Sequence, residues 1–195
     1  MLKHTKPRLL VFTTLHEPAH ELQQISNLLG GSGYDVQLSV DGELVSWAAP
    51  KDKVVYINEI ESFDLFLGIF FPNYGTGMAH QQLSKIINAN KPRFILSHNH
   101  IGLVDKATRP NRFKKNGMPK KSFRLAKNDK IDRIELTDMY SAAVNSPYVQ
   151  GQKSGCEVNE FLSITDIFQF LEKDLRDIRK MRLEIREINS MNHDQ

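Results

Sequence analysis

Residues 64–71 (DLFLGIFF) are apolar at every position after the first. Successive residues of a strand point to opposite faces, so this segment has to be covered on both. That environment belongs to a central strand of a parallel sheet with helices above and below. Residues 8–14 (RLLVFTT) share this character and end in two hydroxyls, residues 34–40 alternate, and residues 93–97 (RFILS) form a fourth short apolar run. Helical spacing fills the intervals. Leu22, Ile25, Leu28 and Leu29 line one side of residues 20–29, Val54, Ile57 and Ile60 one side of 50–62, and Met78, Leu83, Ile86 and Ile87 one side of 77–90. The order β-α-β-α-β-α-β predicts an α/β fold with a parallel sheet and right-handed crossovers. Gly30, Gly31 and Gly33 follow a helix and precede a strand, which is the wrong order for a dinucleotide-binding phosphate loop.

Beyond His98 the pattern loosens. Residues 105–130 read as a basic insertion, 131–144 as a helix and 157–162 as an edge strand. Residues 165–188 read as one long helix capped by Thr165, with Phe168, Leu171, Leu175, Ile178, Ile185 and Ile188 inward. The chain thus predicts a single domain, 1–195, with a core at 8–104, an insertion at 105–130 and C-terminal helices at 131–190. With 40% hydrophobic and 25% charged residues, a chain of 195 residues can bury a core without disulfides or a structural metal. One cysteine, Cys156, excludes an intramolecular disulfide and suits a reducing compartment. No segment resembles a signal peptide or is apolar over a bilayer's width, so the expected location is the cytoplasm, with no membrane contact. The net charge of +3 is unevenly spread: residues 105–133 hold eleven Lys or Arg against three Asp, an excess of +8, which leaves −5 elsewhere.

Ligands of open parallel sheets bind at the carboxyl ends of the strands. The first strand delivers Phe12, Thr13, Thr14 and His16 there, the third Phe71, Pro72, Asn73, Tyr74, Gly75, Thr76 and Gly77, and the fourth Ser97, His98, Asn99 and His100. Glycines at 75 and 77 bracket Thr76 just before a helix, where free N–H groups would face an anion or a ribose hydroxyl. Tyr74 offers a ring to stack on and a hydroxyl to bond. His98 and His100 form an H-x-H pair, but no third ligand accompanies them, so they read as loop histidines and no metal is expected. Cys156 has no paired histidine and reads as an inert thiol.

The run FDLFLGIFFPNYGTGMAHQQLSKIINANKPRFIL, with the later segments FKKNGMPKKSFRLAKNDKIDRIELTDMYSAAV and EVNEFLSITDIFQFLEKDL, resembles the nucleoside 2-deoxyribosyltransferases and their TIR-like relatives. It is closest to an uncharacterised domain of that superfamily found at the N-terminus of NTPase-type signalling proteins. The likeness covers most of residues 8–175. It implies a flavodoxin-like or TIR-like parallel sheet and cleavage of an N-glycosidic bond in a nucleoside, nucleotide or NAD-like molecule. It also implies a setting in prokaryotic stress or phage defence, and a partner chain or self-assembly to complete the site. Phe12, Thr13, Thr14, Phe71, Tyr74, Gly75, Thr76, Gly77 and His98 would then hold the substrate, with no cofactor beyond NAD or nucleotide as the substrate itself. The family's catalytic glutamate falls on Gln82, ten positions before Pro92. A neutral amide is a poor nucleophile and a poor partner for an oxocarbenium ion. Residues 15–18 also depart from the relatives' first loop.

Three functions compete, and the resemblance puts the N-glycosidase first. An N-glycosidase would use position 82 at the anomeric carbon, its glutamine being a natural loss or a replacement made to trap substrate. A non-catalytic nucleotide-sensing or protein-interaction module would keep the pocket without the chemistry. A nucleic-acid binder would use the basic stretch that opens at Lys106 and closes at Arg133, but no RNA- or DNA-binding motif accompanies it.

Overall fold

The structure is a computed structural model that describes residues 6–15, 20–40, 43–45, 60–89, 91–114, 118, 120–125, 130–145 and 158–193. The apolar runs are strands: β1 (Arg8–Thr13), β2 (Asp35–Val40), β4 (Leu65–Phe70) and β5 (Arg93–His98), joined by a short β3 (Glu43–Val45) and an edge strand β6 (Val158–Phe161). The sheet order is β3-β2-β1-β4-β5-β6, parallel throughout except for the antiparallel β2–β3 pair. Five parallel strands in this order form a flavodoxin-like sheet. Strand order reverses between β1 and β4, and the crevice outside the carboxyl ends at such a reversal is the usual ligand position.

Every residue of β4 is buried, as a strand covered on both faces must be. Its side chains divide by parity. Leu65, Leu67 and Ile69 join Leu9 and Val11 of β1 under α1 (His20–Gly31), α5 (Ile164–Phe170) and α6 (Ile178–His193). Phe66 and Phe70 join Leu10 and Phe12 under α2 (Met78–Asn88), α3 (Asn99–Arg112) and α4 (Glu135–Asn145). Gly68 sits between. A Cβ there would lie 2.6 Å from Phe12 Cζ and 2.9 Å from Ile95 Cδ1, so the glycine makes the space that the Phe12 ring fills.

Two expectations are corrected. The span 165–188 is not one helix: α5 runs into a π-type turn at Leu171–Leu175, and α6 starts afresh at Ile178. The first cap is Ser163 rather than Thr165. The Asp166 carboxylate accepts from the Leu162 and Ser163 N–H groups, both at 2.9 Å, which lowers its pKa. Asp177 caps the second helix, accepting from the N–H groups of Arg179 at 3.0 Å and Lys180 at 3.2 Å. The basic insertion likewise does not begin at 105. Residues 99–112 are helix α3, held by a buried Asp105 that accepts from Arg109 at 2.8 Å and from Arg112 at 3.4 Å. Arg112 also meets Thr137 and Asp138 of α4, which ties the two helices together.

Among the remaining expectations, residues 131–144 become helical only from Glu135, and the edge strand at 158–161 is present. Of the expected helix at 50–62, only Ile60–Ser62 are described, as a 3-10 turn, and Cys156 lies outside the described residues. No helix among the described residues is long and apolar enough to cross a membrane.

Gly68→Ala is expected to lower unfolding stability by about 1–3 kcal/mol through overpacking against Phe12 and Ile95. Chemical denaturation measures this, and an unchanged midpoint would show that the central strand has slack.

Candidate functional site

The expected site residues occupy the carboxyl ends of the strands, but they separate into three environments. Those of β1 are closed in. Phe12 is fully buried against Phe70, with ring centroids 6.0 Å apart. Thr13 Oγ1 accepts from Leu15 N–H at 3.1 Å. Thr14 Oγ1 accepts from Phe71 N–H at 2.8 Å and donates to the Phe71 carbonyl at 3.0 Å, which stitches the end of β1 to the end of β4. Both threonines are buried, so their hydroxyls hold the crevice floor together rather than facing solvent. His16, expected beside them, lies outside the described residues.

A second group lies at the β5–β6 edge. Phe71 and His98 both pack on Phe161, with centroids 5.3 and 5.4 Å away. His98 is the N-cap of α3: its Nδ1 accepts from His100 N–H at 3.3 Å. Burial, followed by the neighbouring His100, lowers the pKa of His98, against an opposing backbone hydrogen bond at Leu162. Among the described residues no three His, Cys, Asp or Glu side chains converge as a metal site.

The third group is the β4–α2 loop. Gly75 and Gly77 adopt φ values of 61° and 85°, the left-handed region that glycine enters without strain. Gly77 N–H donates to the Tyr74 carbonyl at 3.3 Å, so this amide closes a turn instead of waiting for an anion. A Cβ on Gly77 would meet Tyr74 Cε1 at 3.0 Å, so the glycine lets the tyrosine ring fold back over the start of α2. Exposed Thr76 accepts weakly, at 3.4 Å, from Met78 N–H.

Three further groups hold this corner. Tyr74 Oη lies 2.9 Å from His80 Nδ1. The Asp132 carboxylate accepts from Tyr74 N–H with both oxygens, at 2.9 and 3.0 Å, and Asp132 N–H donates to the Pro72 carbonyl at 3.2 Å. The Arg133 guanidinium stands 5.9 Å from the Tyr74 ring centroid. Burial lowers the His80 pKa, opposed by the carboxylates of Asp138 and Glu135, and burial raises that of Tyr74. Both groups are therefore neutral at pH 7. None of His80, Asp132 and Arg133 was singled out for the site from sequence. Asp132 and Tyr74 are 58 positions apart, and no local pattern announces their contact.

Gln82 faces elsewhere. It belongs to the stripe Ala79, Gln82, Leu83 and Ile86 that α2 turns to the sheet, and it is 5% exposed. Two residues along a helix is about 200° of rotation, so Gln82 and His80 leave α2 on opposite sides. Gln82 Nε2 donates to Ser39 Oγ at 2.9 Å, and Ser39 Oγ donates to Gln82 Oε1 at 3.0 Å. The hydroxyl serves as acceptor and donor at once, which matches an amide. A carboxylate would set a lone pair against the hydroxyl's lone pair on one side.

The basic stretch is partly neutralised. Arg109 and Arg112 are taken by Asp105, and Lys106 stands 3.9 Å from Glu160. A cavity of about 140 Å³ at the opposite pole, between the starts of β4 and β5 and α6, is lined by apolar side chains such as Leu65, Phe94, Met181 and Ile185 together with the charged Arg93 and Glu184. It is smaller than the roughly 300–1,000 Å³ typical of ligand sites and sits away from the loop ends. Compared with known proteins, the chain matches no protein-family model, no curated protein and no solved structure.

Two outcomes are expected. Gln82→Glu should cost about 1–3 kcal/mol at pH 7, because a buried oxygen loses its partner. The deficit should shrink toward pH 4 as the new carboxyl, its pKa raised by burial, takes a proton; an equally stable variant would contradict the amide match. Separately, His80 and His98 both have lowered folded pKa values, so the native state binds fewer protons than the unfolded chain. Their contribution is present above about pH 6.5, the unfolded value, and is lost as pH falls through the lowered folded values. Thermal midpoints should drop from pH 7.5 to 5.5, and less steeply in His80→Asn.

Proposed function

We propose that this chain is a nucleotide-binding module that does not cleave its ligand. Its sheet provides the crevice at the β1/β4 reversal that α/β folds use for nucleotides. Tyr74 supplies a hydroxyl and Arg133 a cation beside it, groups that can meet a base edge and a phosphate.

One observation carries the reading against hydrolysis. The position that the deoxyribosyltransferase-like resemblance assigns to the nucleophile is a neutral, buried glutamine bonded to Ser39. It leaves its helix on the side opposite His80 and the Tyr74 loop. A group at the anomeric carbon must reach the substrate and carry charge, and a neutral Gln82 that is 5% exposed and bonded to Ser39 is suited to neither. The fit of Ser39 to an amide further favours glutamine as the residue this fold is built around.

Wild type and Gln82→Glu are each incubated with NAD and with purine nucleosides, and products are separated by chromatography. Neither is expected to release free base. Wild type should bind a nucleotide in calorimetry, and Tyr74→Ala should weaken that binding by about 0.5–1.5 kcal/mol, the worth of one hydrogen bond. Free base released by the glutamate form would instead establish a disabled glycosidase, and absence of any nucleotide binding would remove the module reading.

A further inference from the structure

We propose that the Tyr74–His80 pair makes the site select a ligand bearing a hydrogen-bond donor, a 6-aminopurine rather than a 6-oxopurine, and that protonation of His80 reverses the choice. The inference rests on the nucleotide-binding reading above and goes beyond it by naming the recognising group.

The geometry is a phenol oxygen 2.9 Å from an imidazole nitrogen, with the rings edge-on at 85° and 5.9 Å between centroids. A phenol has one proton to give. An imidazole nitrogen, basic near pH 6.5, is a far better acceptor than a phenol oxygen, so the proton lies between them as O–H···Nδ1 and the second ring nitrogen of His80 carries the N–H. Tyr74 Oη has then spent its proton and presents only lone pairs outward. It accepts from an incoming amino group and repels a carbonyl. When His80 is protonated, Nδ1 becomes a donor and the phenol must accept from it. The phenol proton turns outward, and Oη now favours a carbonyl.

The groups that face the pair among the described residues come from three elements. On the loop, Tyr74 itself is fixed by its N–H to Asp132. On the segment before α4 stands Arg133, which opposes the rise in the Tyr74 pKa. On α4 stand Glu135 and Asp138, which favour protonated His80 but do not outweigh burial. Gly77, having no Cβ, leaves the room in which the Tyr74 ring lies against the start of α2, and the ring's hydroxyl meets His80 there.

Binding of AMP and IMP is measured by calorimetry at pH 7.5 and at a lower pH where the nitrogen-15 spectrum shows the His80 ring doubly protonated, on wild type and Tyr74→Phe. The common phosphate cancels in the ratio of the two affinities. Wild type should prefer AMP about tenfold at pH 7.5, the worth of one hydrogen bond against a lone-pair clash, and lose or invert that preference at the pH where His80 is protonated. Tyr74→Phe should bind both with a ratio near one at either pH. In parallel, nitrogen-15 spectra of the His80 ring should show the Nε2–H tautomer at pH 7.5. An AMP/IMP ratio that ignores pH, or a ratio unchanged in Tyr74→Phe, overturns the inference while the nucleotide reading stands. An Nδ1–H tautomer also overturns it. If neither nucleotide binds, the module reading falls and the ligand preference with it, and the ring spectrum alone then shows whether the proton switch exists.

Discussion

A strand buried on both faces admits few surroundings, and β4 imposes that constraint on the whole molecule. Its odd and even residues feed two separate cores, so helices must cross on both sides of the sheet. Sending the chain one way from β1 to β2 and the other way from β4 to β5 then opens a crevice at their shared end. The contact between Gly68 and Phe12 in mid-strand lets the two central strands pack a full aromatic ring between sheet and helix. Thr14 closes the top of the same seam by bonding both the N–H and the carbonyl of Phe71. The features expected to touch ligand on β1 are thereby consumed in holding β1 to β4.

The helical turn of α2 decides the chemistry. Its apolar stripe must face the sheet, and Gln82 falls on that stripe while His80 falls off it. An amide in such a place has to be satisfied inside the protein, and Ser39 meets it. His80, half-buried beside Tyr74, remains at the surface where the loop and the segment before α4 converge. One helix thus separates the buried Gln82–Ser39 pair from the half-buried Tyr74–His80 pair, whereas a linear reading puts Gln82 and Tyr74 in one site.

The larger elements were legible because their signals are local. Apolar runs gave β1, β4 and β5, and helical spacing gave α1 and α2. The break between α5 and α6 was hidden by a charge-rich pattern that continues through it, although Asp177 is a cap residue in plain view. Helix α3 was masked by its basic composition. The spacing of Asp105, Arg109 and Arg112, which puts one acid and two bases on a single face, was the better guide. β3 is three residues long and offers too little pattern to read. The candidate corner was half visible: the Tyr-Gly-Thr-Gly turn announces itself, whereas Asp132 and Arg133 reach it only through tertiary folding. The orientation of Gln82 could have been read from Ala79, Leu83 and Ile86, since a residue within that spacing turns inward.

The most direct test of the site's position is amide chemical-shift mapping during titration with a purine nucleotide. The largest shifts should fall on Tyr74, Gly75, Gly77, His80 and Asp132, with Ser39 and Gln82 responding little. Shifts centred instead on Leu65, Phe94, Met181 and Ile185, around the cavity at the far end of the sheet, would contradict the account and move the binding site to the opposite pole.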